Sequence, residues 1–448
     1  LFLLLLYFII PLTNKSQDGL ELLFQWSDDS ISGENWVGNV YNEIWGVAQN
    51  GHEFAIIGTT QGTHIFDVTD PENGYLSSYI EGADASPSIV HRDFHDYNGY
   101  LYAVADEGQS TLQIINISQL PSSYEVIYDS DEIIKRAHNI FIDENHAMMY
   151  VCGGRVNNEW NDLSLVSLED PENPVFLRTY EDVGYVHDIY VINNIAYLNA
   201  GNNGLFIVDF SDVENPILLG SLTEYPDKGY NHSGWLNNSG NTYIFADENH
   251  GYEMKICDVS NPSEIIVNTT FLSNVDPEES MAHNLIIKDN YVYVSHYHDG
   301  LWVWDISDPS NPIVVGNYNT YPVPGDHDSY RGAWGVYPLL PSGNILVSDM
   351  QSGLFVLSPP SNQNTELSEL ENELIIYPNP FKKAFSISIP HFKEAIIDVY
   401  IYDVNGSLVY TKNNATYKSN LSPHLTNGLY FINIQSEEKL YIRKLIKY

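Results

Sequence analysis

The sequence predicts an all-β protein, a seven-bladed β-propeller followed by a small β-sandwich. Three observations support this prediction. A motif recurs seven times at spacings of 45 to 51 residues, each repeat contains short strand-like runs, and residues 373–448 differ in pattern and charge. Repeats of this length, built from four short strands, are typical of propeller blades. The 448 residues are 43% apolar, which is enough for two domains with separate cores.

The N-terminal segment predicts export. Residues 1–10 are all apolar, a run that is too short to span a bilayer but typical of the hydrophobic part of a secretory signal peptide. No initiator Met and no basic residue precede this run, so we interpret residues 1–17 as a truncated signal peptide. No other stretch of the sequence approaches the length of a transmembrane helix.

Residues 18–360 contain the repeats. The position that opens each repeat is occupied by Trp45, Arg92, His138, His187, His232, His283 and Trp334. Further strands follow, the third headed by Gly as at 204–209, and Asp-Pro-x-Asn-Pro turns close them, as at 170–174. Because Asp, Pro and Asn each favour such turns, we predict four strands in each blade.

The seventh repeat lacks a fourth strand, because Pro359 and Pro360 follow shortly after its third. Residues 20–26 resemble the missing strand and have no blade of their own. We therefore predict that they pair with blade seven and close the ring, which removes two open sheet edges.

The net charge is strongly negative and unevenly distributed. It is −40 overall; residues 18–372 carry 9 Lys and Arg against 53 Asp and Glu, whereas residues 373–448 carry 9 against 6. So acidic a propeller is expected to repel nucleic acid and anionic membranes. The charge suits cations or basic partners, or serves solubility in a salty medium.

The two cysteines, Cys152 and Cys257, lie in different repeats and at different strand positions. We therefore expect neither a disulfide between them nor a cysteine-based metal site. Their predicted role is to fill the core.

The strongest candidate site is a set of histidines at one repeat position. His138, His187, His232 and His283 begin four consecutive blades at the innermost strand, which lines the channel mouth. Neutral imidazoles there suit a divalent transition metal, with Asp188 as a further ligand or an orienting group. The alternative is structural, because in WD-repeat propellers a repeated His ties strands together through hydrogen bonds. A seven-bladed channel is also expected to be too wide for four His to reach one ion at about 2.1 Å.

Three further residues extend this predicted ligand-binding site. Arg92 and Asp93 fill the equivalent place in blade two, and His327 lies in the loop between blades six and seven, beside the channel. The ring of side chains is therefore expected to have mixed charge.

Other candidates are weaker. The run His296, His298 and Asp299 is predicted to be a solvated loop, although His-x-His can chelate a metal. The acidic loops at 106–107 and 247–250 have the oxygen donors that calcium prefers, without the spacing of a dedicated calcium loop. The sequence contains no Gly-x-Ser-x-Gly, His-Glu-x-x-His or phosphate-loop motif.

A linker and a second module complete the chain. Residues 361–372 are polar and aperiodic, as linkers are. The module after them opens with Tyr-Pro-Asn-Pro at 377–380, continues with alternating strands, and ends in the basic stretch 444–447. Residues 373–448 resemble the type A C-terminal sorting domain of the bacterial type IX secretion system, found in the Bacteroidetes. The resemblance implies contact with that secretion machinery, and release or attachment at the cell surface.

The repeats also have a resemblance. The strands at 204–209 and 300–305, each followed by Asn-Pro, resemble the LVIVD repeat. The runs 58–71 and 91–93 resemble the choice-of-anchor B proteins, which share one body on varied surface anchors. This family resemblance implies no reaction. Repeat three departs from the pattern, because residues 153–160 form a longer loop.

These observations favour a binding scaffold at the cell surface or outside the cell, with a protein or glycan ligand at the channel mouth. The alternative is a metal-assisted hydrolase or lyase with the His ring as its site. A divalent metal, either calcium or a transition metal, is the cofactor that the sequence suggests.

Overall fold

The computed structural model describes residues 19–273, 275–323, 325, 329–360, 375–377, 381–388, 396–403, 407–416, 420–435 and 440–447. The chain divides into two compact units, Leu1–Ser361 and Asn362–Tyr448. The predicted signal peptide, the predicted linker at 361–372 and His327 lie outside the described residues.

The first unit is a propeller of seven antiparallel sheets. The first strand is β1 (Leu22–Trp26). Blade one contains β2 (Tyr41–Gln49), β3 (His52–Thr59), β4 (Gly62–Asp67) and β5 (Tyr75–Glu81). Blade two contains β6 (Arg92–Tyr97), β7 (Tyr100–Ala105), β8 (Leu112–Asn116) and β9 (Glu125–Ser130). A 3-10 turn, Pro71–Asn73, joins β4 to β5.

Blade three contains β10 (Ile134–Arg136), β11 (Asn139–Asp143), β12 (Met148–Val156), β13 (Glu159–Ser167) and β14 (Val175–Thr179). Blade four contains β15 (Asp188–Ile192), β16 (Ile195–Asn199), β17 (Leu205–Asp209) and β18 (Ile217–Leu222). Blade five contains β19 (Asn231–Leu236), β20 (Thr242–Asp247), β21 (Met254–Asp258) and β22 (Ile266–Phe271), and blade six contains β23 (Leu285–Lys288), β24 (Tyr291–Ser295), β25 (Leu301–Asp305) and β26 (Ile313–Tyr318). Blade seven contains β27 (Ala333–Tyr337), β28 (Ile345–Asp349) and β29 (Gly353–Leu357).

Strand β1 closes the ring, as predicted from the incomplete seventh repeat. It pairs antiparallel with β29, so that Phe24 lies opposite Val356 and Trp26 opposite Leu354. The indole of Trp26 also contacts the ring of Phe66, with centroids 4.7 Å apart, which ties blade seven to blade one. The N-terminus of the propeller is therefore the outer strand of its last blade.

Glycines head the third strands because the outer strand passes too close for a side chain. Gly300 and Gly353 have φ values of 80° and 92°, a region that favours glycine. A Cβ atom at Gly353 would collide with the carbonyl oxygen of Trp26 in the closing strand, and one at Gly300 with that of Tyr318.

The Asp-Pro-x-Asn-Pro turns are fixed by their own side chains. The amide of Asn173 donates to the carboxylate of Asp170 at 3.0 Å, and Asn73 does the same to Asp70 at 2.9 Å. These Asp–Asn pairs close the turn locally, which is why the motif recurs in several blades.

The cores of the propeller lie between its blades. Among the described residues, one hydrophobic cluster fills each of the seven contacts between neighbouring blades. The cluster that joins the last blade to the first contains Tyr41 and Ala55 on one side and Leu354 and Val356 on the other. Each fully buried aliphatic side chain contributes about 1.5–3 kcal/mol, so the inter-blade clusters hold the ring together.

Blade three is extended on one side. The loop expected at 153–160 is a β-hairpin, in which β12 and β13 run on past the residue pair Cys152–Leu163. The first residue of the inner strand, Asn139, pairs with Cys152. The hairpin therefore rises beyond the start of the inner strand, on the face where the histidines lie.

The second unit is a small all-β module. Strands β30 (Ile375–Tyr377), β31 (Phe385–Ser388) and β34 (Asn420–Leu421) form one sheet, and β33 (Leu408–Thr416), β32 (Ile396–Asp403), β35 (Gly428–Gln435) and β36 (Leu440–Lys447) form another. Its core includes Phe381, Phe385, Val399, Ile432 and Leu445, which agrees with the predicted sandwich.

Candidate functional site at the channel mouth

Six aromatic side chains from six blades form a closed ring at one end of the channel, which we call the His ring. Its members, in order around the channel, are His91, His138, His187, His232, His283 and Trp334. Neighbouring ring centroids are 5.2, 4.2, 4.1, 4.5 and 4.3 Å apart in that order, and Trp334 lies 5.1 Å from His91. The mouth is therefore much narrower than the sequence-based expectation for a seven-bladed channel.

Backbone hydrogen bonds fix where these side chains enter the channel. The N–H groups of His138, His187 and His283 donate to carbonyls of the strand that pairs with the innermost strand of their own blades, at 3.2, 2.8 and 2.9 Å. Each His thus sits at the start of the innermost strand, where the repeat places it at the same height in successive blades. This position is the one that the sequence predicts.

Blades one and two differ from the predicted alignment. Blade two contributes His91 to the ring, because the guanidinium of Arg92 turns away and donates to the carbonyls of Thr59 and Asp84 at 2.7 and 2.8 Å. Arg92 still borders the channel cavity. Blade one contributes no ring member, because Trp45 lies towards the opposite end of the channel, beside His95.

Carboxylates from two loops contact the His ring. Asp106 accepts a hydrogen bond from Nδ1 of His138 at 2.9 Å, and Glu107 pairs with Nδ1 of His91. An oxygen of Glu248 lies 3.6 Å from Nε2 of His232. The acidic loops at 106–107 and 247–250, which have the oxygen donors that calcium prefers, therefore place their carboxylates against imidazoles of the His ring.

Two members of the ring have unpaired nitrogens. Nδ1 of His187 and Nδ1 of His232 are buried and have no hydrogen-bond partner, whereas Nδ1 of His283 bonds to the carbonyl of Trp334 at 2.7 Å. Burial lowers the pKa of His187 and of His232 well below the ordinary value and that of His283 to about 3. These three imidazoles are therefore neutral at pH 7.

A layer of carboxyl groups lies behind the His ring. Asp93 and Asp188 each accept a backbone N–H at 2.6 Å, and Glu43 accepts the amide of Asn284 at 2.8 Å. Burial raises the pKa of Glu43 and of Asp188 to about 7 and that of Asp93 well above its ordinary value. Protonated carboxyl groups are therefore common in this part of the channel at neutral pH.

The channel itself holds very little space. A cavity of about 30 Å³ lies between the His ring and the carboxyl layer, and one of about 60 Å³ lies beyond that layer, towards Trp45 and Trp235. Such volumes admit water or a single ion, whereas pockets for organic ligands measure about 300–1,000 Å³. Organic ligands must therefore bind outside the channel.

Two groups of side chains have metal-ligand geometry among the described residues. In the first, ligand atoms of His187, His232 and Glu248 all lie within 4.8 Å of one another. In the second, the same is true of His91, Asp106 and Glu107. The four predicted ligands do not form one group together, since His138 and His283 belong to neither.

The His-x-His run of blade six is buried, so the prediction of a solvated loop is wrong. His296, His298 and Asp299 are at most 7% exposed. A carboxylate oxygen of Asp299 accepts the hydroxyl of Ser280 at 2.6 Å and lies 3.4 Å from Nδ1 of His296. The residue between the two histidines, Tyr297, donates its hydroxyl to Glu248 at 2.6 Å, which connects this run to the His ring.

The comparisons with known families agree with these two units. Residues 183–224, 239–272 and 280–320 match the LVIVD repeat, and residues 375–448 match the secretion system C-terminal sorting domain. The protein is a β-propeller with LVIVD repeats and a C-terminal sorting domain. Its sorting domain is handled by type IX secretion and indicates a secreted or cell-surface protein. Within the described part of the chain, no helix is long and apolar enough to cross a membrane.

Solved structures share the propeller fold at low sequence identity. The β-propeller domain of Cps50 (Swd1) from Myceliophteria thermophila is 10% identical, with a TM-score of 0.52, over 75% of this chain and 98% of that one. U3-55K is 9% identical, with a TM-score of 0.52, over 77% and 99%, and the RRP9 WD40 repeats are 10% identical, with a TM-score of 0.51, over 77% and 98%. No curated protein matches the chain. These similarities show the fold alone.

Glu43, His91 and Glu248 lie at the channel and are not among the site residues that the sequence predicts. The repeat alignment selects Trp45 in blade one, two residues beyond Glu43. His91 was hidden because Arg92 occupies the aligned position beside it, although two adjacent polar residues at a channel position were a usable signal. Glu248 belongs to the acidic loop at 247–250, and nothing local in the sequence places that loop at the His ring.

Proposed function

We propose that the protein is a secreted or surface-displayed binding scaffold that holds neutral glycans across the face carrying the His ring. The observation that carries this proposal is the contrast between a closed channel and a mouth flanked by exposed aromatic side chains. Trp36 and Trp160 are 75% and 62% exposed, and each lies on a rigid element of this face.

Trp160 stands on the hairpin of blade three. It pairs with Arg155 across the extended part of β12 and β13. Tyr185 lies at the base of this hairpin, where it would collide with a side chain at Gly153, and its ring centroid is 6.1 Å from that of His187. An exposed tyrosine thus links the hairpin to the His ring.

Trp36 stands on a loop over blades six and seven. The carboxylate of Glu34 accepts the backbone N–H groups of Gly38 and Asn39 at 2.7 and 3.2 Å, which fixes the loop. Val37 of the same loop packs in one cluster with Trp334 of the His ring. Trp36 itself contacts Tyr330, with centroids 5.9 Å apart, so two exposed aromatic rings form one platform.

Sugar rings suit such a surface. Their apolar C–H faces stack on aromatic side chains, and their hydroxyls donate to carboxylates. The strong negative charge of the propeller opposes anionic polymers, so neutral glycans are favoured. The alternative of a metal-assisted hydrolase or lyase stays a prediction; the small channel cavities require any substrate for it to bind at the outer face.

Binding to a panel of neutral polysaccharides, such as xylan, mannan, cellulose and chitin, tests the proposal by affinity electrophoresis and pull-down. Trp36→Ala and Trp160→Ala should each weaken binding about tenfold, the equivalent of about 1.4 kcal/mol. Ile217→Ala and Ile313→Ala are matched controls, because both residues are more than half exposed on outer strands. Absence of binding to every neutral glycan, or unchanged binding by a Trp36→Ala/Trp160→Ala double variant, would overturn the proposal.

A further inference from the structure

Two neighbouring imidazoles of the His ring are buried, and each has a ring nitrogen that no protein group pairs with. His187 and His232 are 8% and 3% exposed, and Nδ1 of each lacks a hydrogen-bond partner in the protein. A buried imidazole nitrogen that no protein group fills is available to a water or an ion. The two rings are neighbours, with centroids 4.1 Å apart, and Nε2 of His232 faces Glu248.

A carboxylate completes the set. Ligand atoms of His187, His232 and Glu248 lie within 4.8 Å of one another, and the pair His232 Nε2–Glu248 Oε2 is 3.6 Å apart. Tetrahedral bonds of about 2.1 Å separate two ligand atoms by about 3.4 Å. Side-chain movements of about 1 Å therefore bring all three onto one ion.

Tyr297 orients this carboxylate. Its hydroxyl donates to Oε1 of Glu248 at 2.6 Å, while Oε2 is the oxygen near His232. The backbone of Tyr297 has a φ of 37°, an uncommon conformation for a bulky residue that is typical of functional positions. Two backbone bonds to Ala333, at 3.1 and 2.9 Å, hold it there.

The other metal-like group on the ring is already satisfied. Nδ1 of His91 pairs with Glu107, and Asp106 accepts a hydrogen bond from His138. These carboxylates are therefore committed to imidazole N–H groups, as orienting partners are. The two groups lie on the same ring but differ in one respect. Nδ1 of His91 is paired with a carboxylate, whereas Nδ1 of His187 and Nδ1 of His232 are not paired.

We propose that His187, His232 and Glu248 hold one divalent first-row transition-metal ion at the channel mouth. Two imidazoles and one carboxylate are donors that suit zinc, copper(II), nickel or iron(II), and the set contains no thiolate that would favour copper(I). The three protein ligands leave at least one coordination position for water or an external ligand. Tyr297 is a positioning residue for this site, since it acts through Glu248.

Zinc binding to the full chain, purified without a histidine tag and freed of metal with a chelator, tests the proposal. We expect one Zn²⁺ per chain by mass spectrometry and by competition with a chromogenic chelator. Glu248→Gln, which keeps the shape of the side chain, and His232→Gln should each weaken binding by at least 100-fold. Tyr297→Phe should weaken it by about 10- to 100-fold, as loss of an orienting partner does.

His146→Gln is the control, because it removes an imidazole that pairs with Asp143 outside the His ring, and it should leave zinc affinity within about threefold of wild type. Thermal unfolding of each variant identifies any that fail to fold. If Glu248→Gln and His232→Gln fail to fold, Tyr297→Phe still tests the site. The proposal is wrong if the wild-type chain binds no zinc, if Glu248→Gln binds it with unchanged affinity, or if His146→Gln weakens binding as much as His232→Gln does.

Discussion

The imidazoles of His187 and His232 lie 4.1 Å apart, and both leave a buried Nδ1 atom without a partner. Their neighbours in the ring differ, since His138 bonds to Asp106 and His283 to the carbonyl of Trp334. One repeated residue therefore serves two purposes. In blades three and six it ties the structure together through hydrogen bonds, whereas in blades four and five it presents unused nitrogen atoms.

Removal of the closing strand should destabilise the whole propeller. Deletion of residues 18–28 removes the partner of β29 and the contacts of Trp26 with blade one, so it opens a sheet edge and a hydrophobic cluster at once. We expect a sharp fall in the melting temperature, measured by circular dichroism. Gln25→Ala, at an exposed position of the same strand, is the control and should have little effect. A deleted chain that melts at the wild-type temperature would contradict ring closure by β1.

A single methyl group added at Gly353 also tests ring closure by β1. Gly353→Ala places a Cβ against the carbonyl oxygen of Trp26 at a positive φ of 92°. Because both the contact and the backbone conformation oppose a side chain, we expect destabilisation of about 2 kcal/mol or more. Gly240→Ala is the matched control, because Gly240 also has a positive φ, 72°, but has open space at its Cβ. Equal losses for the two variants would show that backbone strain alone is responsible.

The ion pair of Lys255 with Asp247 in blade five should be essential to stability. Both side chains are fully buried and 2.7 Å apart, and Asp247 also accepts the hydroxyl of Tyr225. Lys255→Met leaves a buried carboxylate without its cation, which we expect to cost about 3–5 kcal/mol of unfolding free energy in urea titrations. Lys135→Met breaks the more exposed pair with Asp131 and should cost less than about 1 kcal/mol. Similar losses of unfolding free energy in Lys255→Met and Lys135→Met would contradict the claim that the buried ion pair is essential to stability.

The sequence predicts the repeating parts of this molecule well and the breaks in the repeat poorly. Blade number, the strand that closes the ring and the height of His138 to His283 follow from spacing, because each blade repeats one backbone pattern. Arg92 and Trp45 fail as ring members for local reasons. The guanidinium of Arg92 hydrogen-bonds to backbone carbonyls instead of joining the ring. Trp45 lies two residues beyond Glu43, in the same layer as His95 and Trp235. The contact between Glu248 and His232 depends on how loops from different blades pack. The spacing of the repeats along the sequence carries no information about that packing.

The two cysteines should be unreactive in the folded protein. Cys152 and Cys257 are free and have no exposed surface, and burial raises the pKa of Cys257 to about 12 and that of Cys152 well above its ordinary value. Because thiolates are the reactive form, we expect no labelling by a thiol reagent in native buffer and two labels per chain in denaturant without reductant. A disulfide would instead give no label in either condition.

Glu43 should contribute stability that is lost as the pH rises, whereas the buried histidines, whose pKa values are lowered, contribute in the opposite direction. Burial raises the pKa of this carboxyl from 4.5 to about 7, so the folded protein keeps a proton that the unfolded chain has released. Its contribution is full below about pH 4.5 and is lost as the pH rises through 7. The full shift corresponds to about 3 kcal/mol, and partial access of solvent along the channel reduces this to about 1–2 kcal/mol.

Glu43→Gln isolates this contribution, because it removes the titrating proton and keeps the acceptor for Asn284. In urea titrations at pH 5, 6, 7 and 8, the unfolding free energy of wild type minus that of Glu43→Gln should decrease as the pH rises, because the contributions of Asp93, Asp188 and the buried histidines are common to both proteins. Glu125→Gln, which removes an exposed carboxylate on β9, should follow the wild-type curve. Parallel curves for Glu43→Gln and wild type would mean that Glu43 is already ionised in the folded channel, and would place a cation or water beside it.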